Sequence, residues 1–380
     1  MKKFLCLLLA LALCLPFAAC GDNEESSSKE PEPVYPTSLT IGGVPLSEYK
    51  IIYADSRDCP KYKTAAESLA KYFKERFGVT VDVIYDDDDD YKIQPNEILF
   101  GACEWRDECE DYAYNMFEFG EYQIDLVANR LLFVAADACS AYKGVKAFIE
   151  KVDSDPSGIY NEARISGKDD KIIKVACVGD SITQGVNSSA PLDNNYPAFL
   201  NQMLGLDYYV LNAGHSGYST CKTDEYAYCK SQYYKQTIEF KPDVMIYNLG
   251  TNDANPGQPY KNWDDHDRQG EFMESAHELI DTIVASNPEM QVYICIPTSL
   301  FKVENDRWDA DNWNKNLVAH SIPCVKQLIE DYGYPSINLY DWSLEHPELF
   351  PDGLHPKDLG YKDYAAVIYD GIKDTIVKPQ

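Results

Sequence analysis

Mainly apolar runs alternate with stretches of helical periodicity over the second half of the chain. The runs lie at 172–178, 208–211, 244–247, 292–296 and 337–340. Continuous apolar runs of this length are typical of strands that are buried on both faces of a parallel sheet. Because strands and helices alternate, the pattern predicts an α/β fold over residues 172–380, a three-layer α/β/α flavodoxin-like domain with a parallel sheet.

The first half of the chain has a different order of elements. The predicted elements are strands at 49–53, 79–85 and 97–101, a helix through 65–77 that ends at Gly78, a hairpin over 122–135 with its turn at Asn129, and a helix through 142–149. Glycine is the residue that most often ends a helix, so Gly78 is a natural stop. The pattern predicts a smaller α/β domain over residues 38–152. Residues 153–171, which combine glycine, proline and charge, are interpreted as a linker.

The first residues have the pattern of a targeting segment. Two lysines, a short apolar core and small residues precede Cys20, which indicates a secretory signal peptide over residues 1–19. The cysteine resembles that of a bacterial lipoprotein box, and this resemblance implies cleavage before Cys20 and its lipidation. Phe17 is unusual in such a box, so simple secretion stays open. Residues 20–37 are predicted to be a flexible tether, and the expected location is the bacterial cell envelope, on either membrane face.

Charge and cysteine content limit the partners. The formal net charge of −28 disfavours nucleic acids and anionic lipid surfaces, so we expect membrane contact only through a lipid anchor, while neutral glycans are compatible with it. Nine cysteines follow Cys20, and an odd number cannot all pair within the chain. Small loops could be closed by Cys221 with Cys229, or by Cys103 with Cys109.

Four short polar blocks stand out from the apolar pattern. They are Gly179–Thr183, Leu211–Gly217 and Tyr247–Asp253, which follow the first three strands of the second half, and Asp352–Pro356, which precedes the last helical stretch. In open α/β sheets, reactive groups lie just past the carboxyl ends of the strands. An isolated Asp-Ser pair at such a place is more often a simple helix cap, so the four blocks carry the argument together.

In order and in residue type, these blocks resemble the SGNH (GDSL-type) hydrolases, a family of serine esterases and lipases. The family's four characteristic positions fall on Ser181, Gly217, Asn252 and His355. The resemblance implies that Ser181 is the nucleophile, that His355 is the general base and that Asp352 orients the imidazole. It also implies an oxyanion hole built from the backbone N–H groups of Ser181 and Gly217 and the side-chain amide of Asn252.

Other readings of the polar residues explain less. Asp352, His355, His346 and Asp253 could in principle hold a metal, but the serine and asparagine blocks would then have no purpose, so no metal and no cofactor is expected. The run Asp86–Asp90 lacks the spaced ligands of a calcium loop and is interpreted as a solvated turn. Four aromatic residues adjoin the blocks and are candidates either for sugar stacking or for core packing: Tyr218, Trp263, Trp342 and Phe350.

The function that these features favour is a serine esterase that removes acetyl or similar acyl groups from a glycan. The domain over 38–152 resembles the small α/β domain that precedes the catalytic domain in several glycoside hydrolases, which favours an acylated glycan or another small ester as partner. Two alternatives stay open. One is a lipase, lysophospholipase or thioesterase with the same catalytic groups, and the other is a glycan-binding lipoprotein without catalysis.

Overall fold

A computed structural model describes residues 37–54, 62–101, 103, 117–257, 260, 263, 267–304 and 307–379. Cys20, the predicted signal peptide and nearly all of the predicted tether lie outside the described residues. Cys59 and Cys109 also lie outside them. Within the described residues, no helix combines the length and the apolar composition that a membrane crossing requires.

The second half of the chain is built on five parallel strands. They are β10 (Ile173–Gly179), β11 (Tyr208–Gly214), β12 (Val244–Asn248), β13 (Gln291–Ile296) and β14 (Ser336–Asn338). Their order in the sheet is β11-β10-β12-β13-β14, which is the flavodoxin-like order and agrees with the predicted fold class. Gly179 pairs with Gly214 on one side and with Asn248 on the other, so three strands end in one row.

Helices connect these strands and cover the sheet. Their bounds are α3 (Ser181–Gln184), α4 (Tyr196–Leu204), α5 (Gln232–Phe240), α6 (Arg268–Ser286), α7 (Ala310–Asn316), α8 (Ile322–Tyr332), α9 (Leu339–Glu345) and α10 (Asp358–Ile372), with a π-helical stretch at Leu317–Ser321 and 3-10 turns at Tyr228–Lys230, Asn252–Ala254 and Pro347–Leu349. The sheet is buried on both faces, as its apolar strands require: Val175, Cys177, Ile246 and Ile294 are completely buried.

The first half of the chain forms a six-stranded mixed sheet and a small three-stranded sheet. The strands are β1 (Thr40–Ile41), β2 (Val44–Pro45), β3 (Lys50–Tyr53), β4 (Val83–Tyr85), β5 (Glu97–Phe100), β6 (Glu121–Val127), β7 (Arg130–Ala135), β8 (Ile159–Tyr160) and β9 (Arg164–Lys168), with a 3-10 turn at Leu46–Glu48 and helices α1 (Tyr62–Phe77) and α2 (Ala138–Ser154). The orders are β4-β3-β5-β7-β6-β9 and β2-β1-β8. Gly78 follows α1 with φ +70°, as its predicted role as a helix stop requires.

The interpretation of residues 153–171 as a linker is wrong for most of that segment. Strand β8 pairs with β1, and β9 extends the larger sheet by pairing antiparallel with β6. Only alternate residues of β9 face the protein, so its sequence lacks the apolar run that marks a central strand. The described residues from 37 onward belong to one unit of contacts. The division of the chain into separate domains at these boundaries therefore stays a prediction.

Three smaller expectations are also corrected. The strand predicted at 79–85 is limited to β4, and the strand predicted at 337–340 ends at Asn338, whose side chain caps α9. The candidate bridge between Cys221 and Cys229 does not form, since both are free thiols.

Candidate active site

Ser181 lies at the point where the central strand β10 turns into a short helix. Asp180 is the N-cap of α3, and its Oδ1 accepts the backbone N–H of Ile182 at 3.0 Å. A Cβ on Gly179 would collide with the side chain of Thr183, so only glycine fits this tight turn. Ser181 is therefore the first residue of the helix. Its N–H is one of the first-turn N–H groups, and these have no acceptor within the helix.

A relay of two hydrogen bonds links Ser181 to His355 and Asp352. His355 Nε2 lies 2.8 Å from Ser181 Oγ, and His355 Nδ1 lies 2.9 Å from Asp352 Oδ2. An ionised carboxylate can only accept, so Nδ1–H donates to Asp352 and Nε2 is free to accept the serine proton. Ser181 is 6% exposed and His355 is 3% exposed, so both groups are largely shielded from water.

Asp352 is held in its ionised form by the loop around it. Its Oδ1 accepts the backbone N–H groups of Leu354 and His355, at 2.9 and 2.7 Å. Burial alone would raise the pKa of this carboxyl group, but the hydrogen bonds from the His355 ring and from these N–H groups outweigh it. The pKa of Asp352 is lowered to about 2, so the group is an anion wherever the protein is folded near neutral pH.

Asp180 has the opposite environment. It is completely shielded beneath the serine turn, and this burial raises its pKa to about 6, although the hydrogen bond from the Ile182 N–H acts against the shift. A carboxyl group of this kind changes its charge close to neutral pH. It lies beside the relay, not within it, since the His355 hydrogen bonds go to Ser181 and Asp352.

The predicted oxyanion donors lie on loops that leave the same edge of the sheet. Gly217 follows β11 and has φ +79°, a conformation that favours glycine. Asn252 follows β12, is 5% exposed, and gives one of its two amide hydrogens to the backbone oxygen of Tyr218, at 3.0 Å. The second amide hydrogen has no acceptor among the described residues, which suits a donor to a substrate oxygen.

The structure adds contacts to this site that the sequence did not predict. The ring of Trp308 meets His355 edge to face, with 5.7 Å between centroids, and the Arg307 guanidinium lies 4.1 Å over the Trp308 ring and 3.7 Å from Asp352 Oδ2. The Tyr260 hydroxyl donates to the Gly217 carbonyl oxygen at 2.5 Å. These residues belong to no spaced motif. The signal that could have indicated Trp308 is its place after β13, at the edge where the other loops leave the sheet.

The alternative metal set does not come together among the described residues. Asp253 uses both carboxylate oxygens on the backbone N–H groups of Thr220 and Cys221. His346 Nδ1 faces Glu348 at 3.6 Å, and only Asp352 and His355 of the four candidates contact each other. Of the aromatic candidates for sugar stacking, Trp263 and Phe350 are buried, whereas Tyr218 is half-buried and stacks on His215 at 3.8 Å.

Comparison with known proteins supports the resemblance that the four blocks indicate. Residues 177–362 match the GDSL-like Lipase/Acylhydrolase family. This region contains Ser181, Gly217, Asn252, Asp352 and His355, so the family resemblance is confirmed for the part of the chain that forms the site.

A curated relative and two solved structures are each similar to about half of the chain. An acetylxylan esterase of Xylanibacter ruminicola is 29% identical over 222 residues, which are 53% of this chain and 43% of the relative. The chain therefore matches less than half the length of that relative. A lipase/acylhydrolase from Enterococcus faecalis (23% identity, TM-score 0.43) covers 55% of this chain and 98% of its own, and the acetyl xylan esterase AlAXEase (21% identity, TM-score 0.39) covers 53% and 100%.

Proposed function

We propose that this chain is a serine esterase that hydrolyses acyl esters, with acetyl esters on a carbohydrate as its substrate class. The observation that carries the proposal is the relay from Ser181 through His355 to Asp352, at 2.8 and 2.9 Å. Such a relay is the arrangement that makes a serine hydroxyl nucleophilic near neutral pH. The match of residues 177–362 to the GDSL-like Lipase/Acylhydrolase family supports the same reaction class.

The reaction follows from the atoms of the site. Ser181 Oγ attacks the ester carbonyl while its proton passes to His355 Nε2, and the Asp352 carboxylate stabilises the imidazolium through Nδ1–H. The tetrahedral oxyanion accepts hydrogen bonds from the Ser181 N–H, the Gly217 N–H and the Asn252 amide. The imidazolium then gives its proton to the leaving alcohol. Water, deprotonated by His355, attacks the acyl-serine in the second half of the cycle.

Three observations support an acetyl group on a carbohydrate as the substrate. The curated relative is an acetylxylan esterase, and the first half of the chain resembles a domain of glycan-active enzymes. The net charge of −28 suits a neutral glycan. Tyr218, on the loop that carries Gly217, is half-buried and offers an aromatic ring beside the oxyanion hole.

Hydrolysis rates on two kinds of substrate test this proposal. We expect the purified chain to release acetate from acetylated xylan, and to cleave nitrophenyl acetate faster than nitrophenyl esters of eight or more carbons. Ser181→Ala should abolish both activities without loss of folding. A rate that rises steeply with acyl length would favour the lipase alternative. Glycan binding by an inactive wild-type chain would favour a carbohydrate-binding protein.

We also propose that the mature chain begins at a lipidated Cys20 and is held in the cell envelope. The support is sequence alone: two lysines, an apolar core and small residues precede this cysteine. Expression in a bacterial host with a labelled fatty acid should label the wild-type chain, and Cys20→Ser should remove the label. Equal labelling of Cys20→Ser would rule the anchor out, and secretion without label would support the simpler signal peptide.

A further inference from the structure

A buried ion cluster lies beside the loops that carry the two predicted oxyanion donors Gly217 and Asn252. It consists of Arg268 at the start of α6 and the carboxylates of Asp224 and Asp253, and all three side chains are 0% exposed. Arg268 donates to Asp224 in a fork, at 2.9 Å from Nη1 and 2.7 Å from Nη2. Its Nη2 also lies 3.9 Å from an oxygen of Asp253.

Asp253 joins the loop of Asn252 to the loop of Gly217. It follows Asn252 directly in the chain, and its two oxygens accept the backbone N–H groups of Thr220 and Cys221, at 2.9 and 3.0 Å. The Asn252 amide makes a second connection by donating to Tyr218 O. The two donors are therefore held together by three hydrogen bonds between the loops.

Asp224 fixes the other end of the same loop segment. Its Oδ2 accepts the Ser219 hydroxyl at 2.7 Å, in addition to the fork from Arg268. Residues 219–224 are thus held by one carboxylate at each end, and a single guanidinium lies between the two. Neither carboxylate is exposed to water, so the charge of Arg268 is what offsets their mutual repulsion inside the protein.

Cys221 lies with these carboxylates in a group that has the spacing of cation ligands. The positive charge beside this group is that of Arg268, whose guanidinium bonds both oxygens of Asp224 and lies 3.9 Å from Asp253. A planar fork matches a carboxylate in two parallel hydrogen bonds, which a lysine ammonium cannot reproduce. The cluster therefore holds the loops of Gly217 and Asn252 in a fixed arrangement.

We propose that Arg268 is a positioning residue for the oxyanion hole. Through Asp224 and Asp253 it sets where the Asn252 amide lies relative to the Gly217 loop, and so where the amide meets the developing oxyanion. The inference rests on the proposed esterase function. It predicts that loss of the guanidinium fork lowers the rate of the chemical step with little change in substrate binding.

The test compares Arg268→Lys with a matched control. Arg268→Lys keeps the charge and loses the fork, and we expect kcat for an acetyl ester to fall about 10- to 100-fold, because a misplaced catalytic donor costs that much, with KM nearly unchanged. The control is Arg130→Lys in the first sheet, which alters a comparable pair with the fully buried Glu97. It should lower thermal stability and leave kcat unchanged.

A double-mutant cycle separates positioning from general destabilisation. If Arg268 acts through Asn252, Arg268→Lys should cost less than about twofold in kcat once Asn252 is already alanine. Full additivity, or an unchanged kcat in folded Arg268→Lys, would overturn the inference. Should that variant not fold, Asp224→Asn, which keeps size and one acceptor oxygen, takes its place with the same expectations. If the wild-type chain itself is inactive, the proposed esterase function fails as well. If the wild-type chain is active and only the Arg268 predictions fail, the positioning role alone is overturned.

Discussion

At the scale of single residues, two carboxyl groups beside Ser181 have opposite tasks because their surroundings differ. Asp352 accepts N–H groups from its own turn and from the His355 ring, which lowers its pKa to about 2. Asp180 is buried beneath the serine turn, and burial raises its pKa to about 6. The first is a permanent anion that orients the imidazole. The second caps a helix and is charged only above mildly acidic pH.

Asp180 makes the stability of the protein depend on pH. A carboxyl group whose folded pKa lies above its unfolded value binds its proton more tightly in the folded state, so its contribution to stability is lost as pH rises through the interval from about 4 to about 6. We expect Asp180→Asn to raise stability relative to wild type more at pH 8 than at pH 4, by roughly 3 kcal/mol at most. Urea unfolding at the two pH values measures this difference.

The comparison with Asp352 provides the control for this prediction. Its folded pKa is lowered, so it contributes stability that is present above pH 4 and is lost as pH falls towards 2. Asp352→Asn should therefore destabilise at pH 8, opposite to Asp180→Asn. An equal effect of Asp180→Asn at both pH values would show that the carboxyl group is not desolvated as described.

At the scale of elements, the sequence predicts the five strands of the second half and misses β9, the edge strand of the larger sheet in the first half. The strands β10, β12 and β13 are buried on both faces, so their composition alone marks them. By contrast, β9 alternates exposed and half-buried residues, and it was interpreted as a linker. The side chains of the relay were predicted from motifs in the loops, whereas Trp308 and Arg268 were not. Their contacts with the site form only when segments far apart in the chain meet, and only the place of Trp308 after β13 gives a sequence signal for them.

The packing of α3 against β11 gives a prediction at this scale. A Cβ on Gly214 would collide with the backbone of Thr183 and Gln184, in the turn that follows Ser181. Because backbone atoms cannot move aside cheaply, Gly214→Ala should shift the serine turn, lower stability by about 1–3 kcal/mol and reduce kcat together with it. Thermal unfolding and ester hydrolysis measure both effects.

A second glycine provides the control for this substitution. A Cβ on Gly205 would meet no atom within 4 Å, although its φ of +84° strains any substitution there. Gly205→Ala should therefore cost stability through backbone strain and leave kcat unchanged. A Gly214→Ala variant that is as active as wild type would contradict the close packing of this turn.

At the scale of the whole molecule, polar contacts connect the two large sheets. Lys143 of α2 is 7% exposed and bonds Asp207, directly before β11, at 2.9 Å, and Asp169, directly after β9, at 3.3 Å. The Cys139 thiol contacts the Tyr208 carbonyl oxygen at 3.3 Å. The same strand β11 leads to the loop of Gly217. The first half of the chain therefore supports an element that carries part of the site.

Removal of the buried lysine tests this connection. Lys143→Met should destabilise the protein by about 2 kcal/mol, because it removes the buried ammonium that bonds two partly exposed carboxylates. Lys146 also bonds Asp207 but is 42% exposed, so Lys146→Met should cost less than about 1 kcal/mol. Chemical denaturation of both variants measures the difference. Equal, small losses would mean that Lys143 does not tie the sheets together.

Covalent labelling tests most directly whether the relay from Ser181 to Asp352 makes the serine hydroxyl nucleophilic. Wild-type protein is treated with a fluorophosphonate, and the modified peptide and its rate of formation are determined by mass spectrometry. We predict one adduct, on Ser181, formed at least about a hundredfold more slowly in His355→Ala, because the hydroxyl then has no base. An adduct on another residue, or an unchanged rate in His355→Ala, would contradict this prediction.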